Sequence, residues 1–425
     1  MERRKVIPEA RRSMSVAWLV VGLLWVVGMM NYLDRLTITT MRDSVKADIP
    51  MTDAQFGLVT SVFLWVYALL SPAAGYLADR FSRTGVIVGS LFVWSAVTWM
   101  TGHCHTVGQL LVVRALMGIA EACYIPAALA LIADYHRGST RSLATGIHMS
   151  GIYAGMALGG IGGYLAESIG WRTAFTIFGL GGIVYGFALV LLLRDPPKPE
   201  SAAVASTRTG DGVTLLSALR ALFTQPSYYA IVTHWTLLAL AGWGFSGWLP
   251  TYLKEHFHLG QGAAGMSATG YVQITAFIGI LVGGVWADAW SRRNARGRLF
   301  VPAIGFIVAG PALFMTASTD VFVLAIAGLL VYGLARGFSD ANMMPILCQV
   351  VDPRYRATGY GIMNCFSCLT GGVMIYVSGA LKDRNVDLGT VFQFAAAGLV
   401  LAAVVLLLVR PVLADDSPVS NNPKS

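Results

Sequence analysis

The stretch Gly75-Tyr76-Leu77-Ala78-Asp79-Arg80-Phe81-Ser82-Arg83 returns in altered form as Gly284-Val285-Trp286-Ala287-Asp288-Ala289-Trp290-Ser291-Arg292. The two copies lie 209 residues apart in a chain of 425 residues, and a long apolar run precedes each of them. The glycine, the aspartate and the last arginine keep the same spacing. A charged loop that returns after half of the chain length indicates two homologous halves, which in a membrane chain is typical of secondary transporters. Two unrelated cytoplasmic loops are the alternative.

The composition predicts an all-α membrane protein. Apolar residues make up 56% of the chain and charged residues 12%, against about 25% in soluble domains. A segment of about 20 apolar residues spans the hydrocarbon layer as a helix. Hydropathy predicts twelve such spans, at 16–40, 53–78, 84–103, 107–134, 141–166, 171–193, 228–253, 265–288, 299–318, 320–349, 357–383 and 388–410.

A break in the hydropathy separates six predicted spans from six. We expect an N-terminal six-helix bundle at 1–193, a cytoplasmic linker at 194–227, a C-terminal bundle at 228–410 and a disordered tail at 411–425. Within the linker, apolar residues at helical spacing, such as Leu215, Leu219 and Leu222, predict a short amphipathic helix on the membrane surface. A fainter repeat supports the duplication, because Glu121 precedes Pro126 as Asp340 precedes Pro345.

The basic residues are distributed by side of the membrane. If the N-terminus is inside, 21 of the 30 lysines and arginines fall on the inner side and six on the outer side. Both termini are therefore predicted to be cytoplasmic. The net charge of +8 follows from this bias, so it gives no reason to expect nucleic-acid binding.

Charged residues inside the predicted spans are the strongest functional signal. Asp34 and Arg35 lie in the first span, and Arg114 and Glu121 lie in the fourth, seven residues apart on one helix face. Each costs about 2.5–3.5 kcal/mol at a helix centre, so we expect the four to pair and to line a water-accessible cavity. A structural salt-bridge network that braces the bundle is the alternative.

This setting favours proton and anion chemistry. Burial raises the pKa of a carboxyl group, and a neighbouring arginine lowers it. Asp34 and Glu121, the latter with Arg114 nearby, are therefore predicted to exchange protons. Arginine keeps its charge and holds a carboxylate through two parallel hydrogen bonds, so Arg35 is predicted to anchor an anionic substrate.

Further candidates are less specific. Tyr32, Tyr67 and Asn364 are polar residues in apolar spans, where substrate contact and plain packing are equally compatible. Asp340 is predicted to contact substrate, and Arg336, one turn away, is read as a structural partner, a gate or a part of the site.

The repeated loops suggest gates. Asp79 with Arg83, and Asp288 with Arg292, are predicted to form charge pairs that lock the inner face. Anchoring by positive charge on the inner side explains the arginines but not the aspartates.

The residues Gly75 to Arg83 resemble the loop signature of the major facilitator superfamily, and the resemblance extends over essentially the whole chain. It implies twelve helices in two pseudo-symmetric six-helix bundles that work by alternating access. Ser82 stands where that signature has its second glycine, so we expect a somewhat stiffer turn.

Within the superfamily, the chain resembles the anion:cation symporters, which include proton-coupled carriers of sugar acids. The matching positions are Tyr32-Leu33-Asp34-Arg35, Tyr67, Arg114 with Glu121, Trp248 to Leu253, and Asn364. The resemblance implies protonation of Asp34 and Glu121, substrate binding by Arg35, and an ion pair between Arg114 and Glu121. Around Ala341, Met343 and Met344 the chain is apolar where sugar-acid carriers tend to have serine and tryptophan, which allows a less polar carboxylate.

These observations predict a proton-coupled symporter for a small organic anion, in the inner (plasma) membrane. We expect no enzymatic activity, no cofactor, no metal and a monomer whose partners are the anion, protons and the lipid bilayer. The first half, through Asn31 to Arg35, also resembles the Spinster carriers of lipids. A proton-driven exporter of lipids or drugs is therefore the second hypothesis, and a membrane sensor without flux is the third.

Overall fold

The structure is a computed structural model that describes residues 9–136, 140–196 and 215–410, with the backbone alone at 9–13, 72–79, 215–216, 353 and 357. Helices follow one another along these ranges, which confirms the predicted all-α class. They are α1 (Glu9–Thr40), α2 (Arg42–Asp48), α3 (Asp53–Arg80), α4 (Arg83–Thr101), α5 (Val107–Ala122), α6 (Tyr124–Tyr135), α7 (Arg141–Leu158), α8 (Ile161–Ser168), α9 (Trp171–Leu192), α10 (Leu215–Phe223), α11 (Pro226–Phe257), α12 (Gln261–Ser291), α13 (Gly297–Thr316), α14 (Phe322–Val350), α15 (Arg356–Asp383) and α16 (Leu388–Leu407).

Ten segments of the described helices are long and apolar enough to cross a membrane. The other two predicted spans, 141–166 and 228–253, correspond to α7 with α8 and to α11. The first of these is divided at Gly159 and Gly160, between α7 and α8. An arrangement of twelve spans is consistent with these helices and stays a prediction.

Two groups of helices pack within themselves and then against each other. In the first half, α1 packs on α7, α3 on α5 and α4 on α9; in the second, α12 packs on α14, and α13 on both α14 and α16. The halves meet where α3 packs on α15 and where α7 and α8 pack on α12. The domain boundaries predicted at 193 and 228 stay predictions.

A close backbone approach joins α7–α8 to α12. A methyl group added at Gly160 would lie 2.7 Å from the carbonyl oxygen of Gly265, and one added at Gly265 would lie 2.8 Å from that of Gly160. Real side chains do not tolerate such distances, so glycine is required at both positions.

One end of the bundle holds the connections 41–52, 102–106, 169–170, 258–260, 317–321 and 384–387; we call it the outer end, after the predicted sidedness, and the opposite end the inner end. At the outer end the halves are joined by a group of charges that we call the outer lock: Arg42, Asp43, Lys46, Asp53, Lys254, Glu255, Lys382 and Asp383. Lys254 pairs with Asp43, and Asp383 accepts hydrogen bonds from the backbone nitrogens of Asp53 and Ala54 at 2.8 Å. The outer end is therefore closed.

Burial and neighbouring charges act in opposite directions on the pKa of Asp43 in the outer lock. Burial alone would raise the pKa of Asp43, but the hydrogen bond from Lys254 and the charge of Arg42 outweigh it and hold that pKa below its ordinary value. Asp43 is consequently ionised in the closed arrangement at neutral pH.

The described part of the connection between the halves is attached to the bundle at both ends. Asp195 accepts hydrogen bonds from the Ser82 hydroxyl at 2.5 Å and from the backbone nitrogen of Thr84 at 2.9 Å, at the beginning of α4. Helix α10 buries Leu222, and its Phe223 ring lies 5.7 Å from that of Tyr228. The rest of the predicted linker and the predicted tail, 197–214 and 411–425, lie outside the described residues.

Candidate functional site

A cavity of about 120 Å³ lies between the halves. The first half contributes Tyr32, Arg35 and Leu36 of α1 and Met156 of α7 to its wall. The second half contributes Trp235 and Trp243 of α11, Gln273 of α12, Tyr332, Arg336 and Asp340 of α14, and Ser367 of α15, among others. The cavity therefore combines an apolar surface with a few charged and hydrogen-bonding groups, as is typical of ligand sites.

Arg35 is the charged group at the first-half wall. Its Nε donates a hydrogen bond to Oε2 of Glu121 at 2.7 Å, and the two side chains are 4% and 0% exposed. The guanidinium lies over the rings of Tyr32 and Tyr67, 4.4 and 4.6 Å from their centroids. Its Nη2 has no hydrogen-bond partner among the described residues. Arg35 thus has a donor left for a further acceptor.

Asp34 and Arg114 complete the buried charges of the first half. Asp34 accepts a hydrogen bond from the Thr98 hydroxyl at 3.2 Å. Arg114 has its Nη1 3.1 Å from the sulfur of Met117 and its guanidinium 5.0 Å from the ring centroid of Phe63. The four predicted side chains are therefore all buried in one region of the first half.

The expected pairing within this group was wrong in one respect. We expected an ion pair between Arg114 and Glu121, but the partner of Glu121 is Arg35. Seven residues on one helix correspond to about 10 Å along the axis, which is long for a direct ion pair. Arg35 approaches from the neighbouring helix α1, and Asp34, being the next residue on that helix, points in a different direction and contacts α4 instead.

The second half carries a different charged pair. Arg336 Nε lies 3.6 Å from Asp340 Oδ2, with side chains 21% and 25% exposed. The Tyr153 hydroxyl, on α7 of the first half, donates a hydrogen bond to the same Asp340 oxygen at 2.6 Å. Both members of the pair line the cavity, so Arg336 belongs to the candidate site as well as to a structural contact.

Tyr67 and Asn364 lie beside the cavity and are not among its lining residues. Tyr67 contacts the cavity residue Arg35 through its ring. Asn364 lies about one turn before Ser367, which lines the wall, and its Oδ1 is 4.0 Å from the sulfur of Cys368. Their predicted contact with substrate stays a prediction.

The predicted gating residues form charge pairs within their own halves. Arg83 pairs with Asp134 at the end of α6 and donates to the carbonyl oxygen of Ala130 at 2.9 Å. Asp288 pairs with Arg298 of α13 at 2.6 Å rather than with Arg292, which is exposed. The side chain of Asp79 lies outside the described residues. The gating role itself stays a prediction.

Sequence reasoning missed part of the second-half wall. Trp235 and Trp243 are eight residues apart, which places them on one face of α11, but no charge or repeat drew attention to them. Gln273 was also missed, although a glutamine within an apolar helix is a signal of function. The two membrane histidines are packed against backbone: Nδ1 lies 3.2 Å from Leu24 O in His148 and 2.8 Å from Ala402 O in His234.

Comparison with known proteins identifies the family. The profile of the Major Facilitator Superfamily matches residues 24–375, which is most of the chain. The chain belongs to the Major Facilitator Superfamily. It is therefore a multi-pass membrane transporter and not an enzyme, which confirms the predicted fold class and family.

Similar proteins in this superfamily are named both as exporters and as transporters of organic anions. An MFS-type efflux pump of Mycolicibacterium smegmatis is 29% identical over 400 residues, covering 92% of this chain and 90% of the relative. The probable sulfoacetate transporter SauU of Cupriavidus necator is 26% identical over 429 residues, covering 96% and 97%.

A solved structure shares the fold. The crystal structure of a bacterial homolog of the human lysosomal transporter Spinster, in an inward-facing and occupied conformation, aligns with a TM-score of 0.74 at 22% identity. The alignment covers 92% of this chain and 94% of that one. Both predicted resemblances, to organic-anion carriers and to Spinster, are confirmed among the similar proteins, the latter by relatives named protein spinster homolog 1.

Proposed function

We propose that this transporter imports a small organic anion together with protons, by alternating access, across the inner membrane, with both termini in the cytoplasm. The observation that carries the proposal is the buried pair of Arg35 and Glu121, of which Arg35 lines the cavity. Arg35 lines the cavity and has a buried Nη2 without a partner among the described residues, and an arginine in such a place is suited to bind a carboxylate or a related anion.

The pair offers a physical basis for coupling. While Glu121 is ionised, it neutralises Arg35, and an incoming anion competes with it. Once Glu121 takes up a proton, Arg35 is left as an uncompensated buried charge, which is costly until an anion binds. Proton binding therefore favours anion binding, and by thermodynamic linkage anion binding favours proton binding to the same degree.

Asp34 and Arg114 add one negative and one positive charge beside the pair of Arg35 and Glu121. Both side chains are buried beside it, so the region holds two carboxyl groups and two arginines and is neutral when all four are ionised. Uptake of protons by Asp34 and Glu121 leaves a positive region, which attracts an anion. We assign the proton-carrying role to Asp34 and Glu121 on this ground.

A second candidate function has its own observation. The α11 wall presents Trp235, Leu238 and Trp243, and such a surface suits an apolar or amphipathic ligand. A relative named as an efflux pump is also compatible with export. The alternative is therefore a proton-driven exporter of lipids or drugs.

The test is uptake by the purified protein in proteoliposomes under an inward proton gradient, with a panel of small carboxylates and sulfonates. Symport predicts accumulation, and 100 mV supplies about 2.3 kcal/mol per charge, roughly a fifty-fold gradient. No accumulation with any member of a broad panel would remove this function.

A thermal-shift screen discriminates between the candidates before any flux is measured. Small anions stabilise a symporter of this kind, whereas lysolipids or hydrophobic cations stabilise an exporter. A sensor would show stabilisation by a ligand and no flux of that ligand in the proteoliposomes.

A further inference from the structure

The outer end contains two acidic residues, each of which caps a helix of the opposite half. Glu167, at the end of α8 in the first half, accepts a hydrogen bond from the backbone nitrogen of Gln261 at 2.6 Å, at the beginning of α12. Asp383, at the end of α15 in the second half, accepts hydrogen bonds from the backbone nitrogens of Asp53 and Ala54 at 2.8 Å, at the beginning of α3. We call these two contacts the reciprocal caps.

Each acid satisfies donors that the capped helix leaves without a partner. The first backbone N–H groups of a helix have no acceptor within it, and the positive end of the helix dipole attracts a carboxylate. Helix α12 begins after Gly260, which has no side chain to cap it. At α3, Thr52 accepts from the backbone nitrogen of Gln55 at 3.1 Å, and Asp383 accepts from the two backbone nitrogens before it. The opposite half therefore completes both helix ends.

The internal repeat relates the two caps to each other. Asp383 follows Glu167 by 216 residues, and Gln261 follows Asp53 by 208 residues. Both separations are close to the 209 residues between the repeated loops. The two acids thus occupy corresponding places in the two halves, and so do the two helices that they cap.

A glycine lies four residues, about one helical turn, before each acid. A methyl group added at Gly163 would lie 2.5 Å from the carbonyl oxygen of Gln261, and one added at Gly379 would overlap that of Asp53. Only a glycine allows the capped helix to pass so close, and this approach brings its first amides to the acid. The same combination of glycine, acid and capped helix at two places indicates one structural role.

We propose that the reciprocal caps form a conformational latch, in which each half of the transporter holds the other and the outer end opens only when both caps are released. Glu167 and Asp383 are exposed, so water replaces each carboxylate when the halves separate, and each cap contributes a small stabilisation. The two contributions add because the halves of such transporters move largely as rigid bodies. The latch holds the outer end closed and still allows it to open.

The experiment measures hydrogen exchange at the beginnings of α3 and α12, in the full-length protein in proteoliposomes and without substrate. Exchange of an amide reports how often its hydrogen bond opens. Glu167→Ala should speed exchange roughly five-fold at the opposite cap, on α3, and Asp383→Ala should do the same on α12. The double variant should speed exchange roughly 25-fold at both places.

Thr106→Ala is the matched control, because Thr106 caps a helix of its own half at the same end of the bundle. Its side chain accepts from the backbone nitrogen of Gln109 at 3.2 Å, at the beginning of α5. This variant should speed exchange at the beginning of α5 and leave the beginnings of α3 and α12 at the wild-type rate.

Glu167→Gln and Asp383→Asn keep an oxygen acceptor and lose the charge. Each should speed exchange at the opposite cap by a smaller factor than the alanine variant does. Thermal unfolding shows whether each variant is folded, and these two variants provide the same comparison if an alanine variant is not.

Acceleration confined to the cap that was changed would reveal two independent helix caps and overturn the latch. Unchanged exchange at both caps would overturn it as well, since neither acid would then contribute to closure. Because the measurement needs no substrate, either result leaves the proposed symport function standing. Failure of the uptake assay likewise leaves the latch standing.

Discussion

In the first half of the chain, the pair of Arg35 and Glu121 is almost completely buried, and in the second half the pair of Arg336 and Asp340 is about one quarter exposed to the cavity. The first half keeps four ionisable groups on α1 and α5. The second half instead lines the cavity with tryptophans and a glutamine. A duplicated scaffold has thus retained its loops while the chemistry of its two halves diverged. We infer that the first half serves coupling and anchors the anion, while the second half shapes the rest of the cavity.

The largest expected effect breaks coupling in the first half. Asp34→Asn and Glu121→Gln should each abolish proton-driven accumulation, because an amide cannot carry the proton. Counterflow, which needs no net proton movement, should survive in at least one of them. Asp340→Asn leaves Arg336 as an uncompensated charge at the cavity, so it should raise affinity for the anion and leave its uptake dependent on the gradient.

Asp320→Asn is the control for these variants, since Asp320 is 95% exposed at the outer end, and it should behave as wild type. Normal accumulation by both Asp34→Asn and Glu121→Gln would show that coupling lies elsewhere.

The next effect concerns the two cavity arginines. Arg35→Lys keeps the charge but loses the planar fork, so anion affinity should fall by about 1.5–3 kcal/mol, or roughly ten- to hundred-fold. Arg336→Lys should cost less, about 1 kcal/mol or below, because its pair is long and partly exposed. Ligand titration by thermal shift measures both, with the exposed Arg354→Lys as the control. Unchanged affinity in Arg35→Lys would leave Arg35 as a partner of Glu121 only.

A third prediction tests how closely the halves must approach. Gly160→Ala places a methyl group against the backbone of Gly265 and should weaken the closed outer end by about 1–3 kcal/mol. Hydrogen exchange of α2 should therefore become faster. Gly146→Ala, in the neighbouring helix α7, meets nothing within 4 Å and should leave the exchange rate as it is. Identical exchange in both variants would contradict the close approach of the halves.

The smallest effect concerns pH at the outer lock. The pKa of Asp43 is lowered in the closed arrangement, so its stabilising contribution is present above the ordinary carboxyl pKa and is lost as the pH falls through the lowered one. That window lies below about pH 4. Asp43→Asn should weaken closure by about 0.2–1 kcal/mol and leave the shape of the pH profile of transport between pH 5 and 8 unchanged. A shifted profile would assign Asp43 to coupling.

Much of the fold could be predicted from the sequence. Hydropathy, the distribution of basic residues and the repeated loop each depend on one helix or on its ends, so none of them requires knowledge of how helices pack. The burial of Asp34, Arg35, Arg114 and Glu121 was predictable for the same reason. The ion-pair partners of these residues on other helices could not be predicted. Helical periodicity fixes the face on which Glu121 lies, but the contact with Arg35 depends on how α1 packs beside α5.

The same limit explains the remaining differences. Asp288 reaches Arg298 across the turn into α13, and Arg83 reaches Asp134 on α6, so each pair involves a helix outside its own motif. Trp243 and Gln273 carry no charge. Uncharged residues on an apolar helix can be recognised as cavity residues only when the helices on the opposite side of the cavity are known.

The composition of the outer lock has a consequence for the response to voltage. Its first-half members are two bases and two acids, Arg42 and Lys46 with Asp43 and Asp53; its second-half members are likewise Lys254 and Lys382 with Glu255 and Asp383. Separating the halves therefore separates two groups of lock residues, each of which carries no net charge. The membrane potential, which does about 2.3 kcal/mol of work per charge moved through 100 mV, does no net work on this step. In the proposed cycle, the lock residues can thus separate without work from the voltage that would drive an anion and protons through the centre.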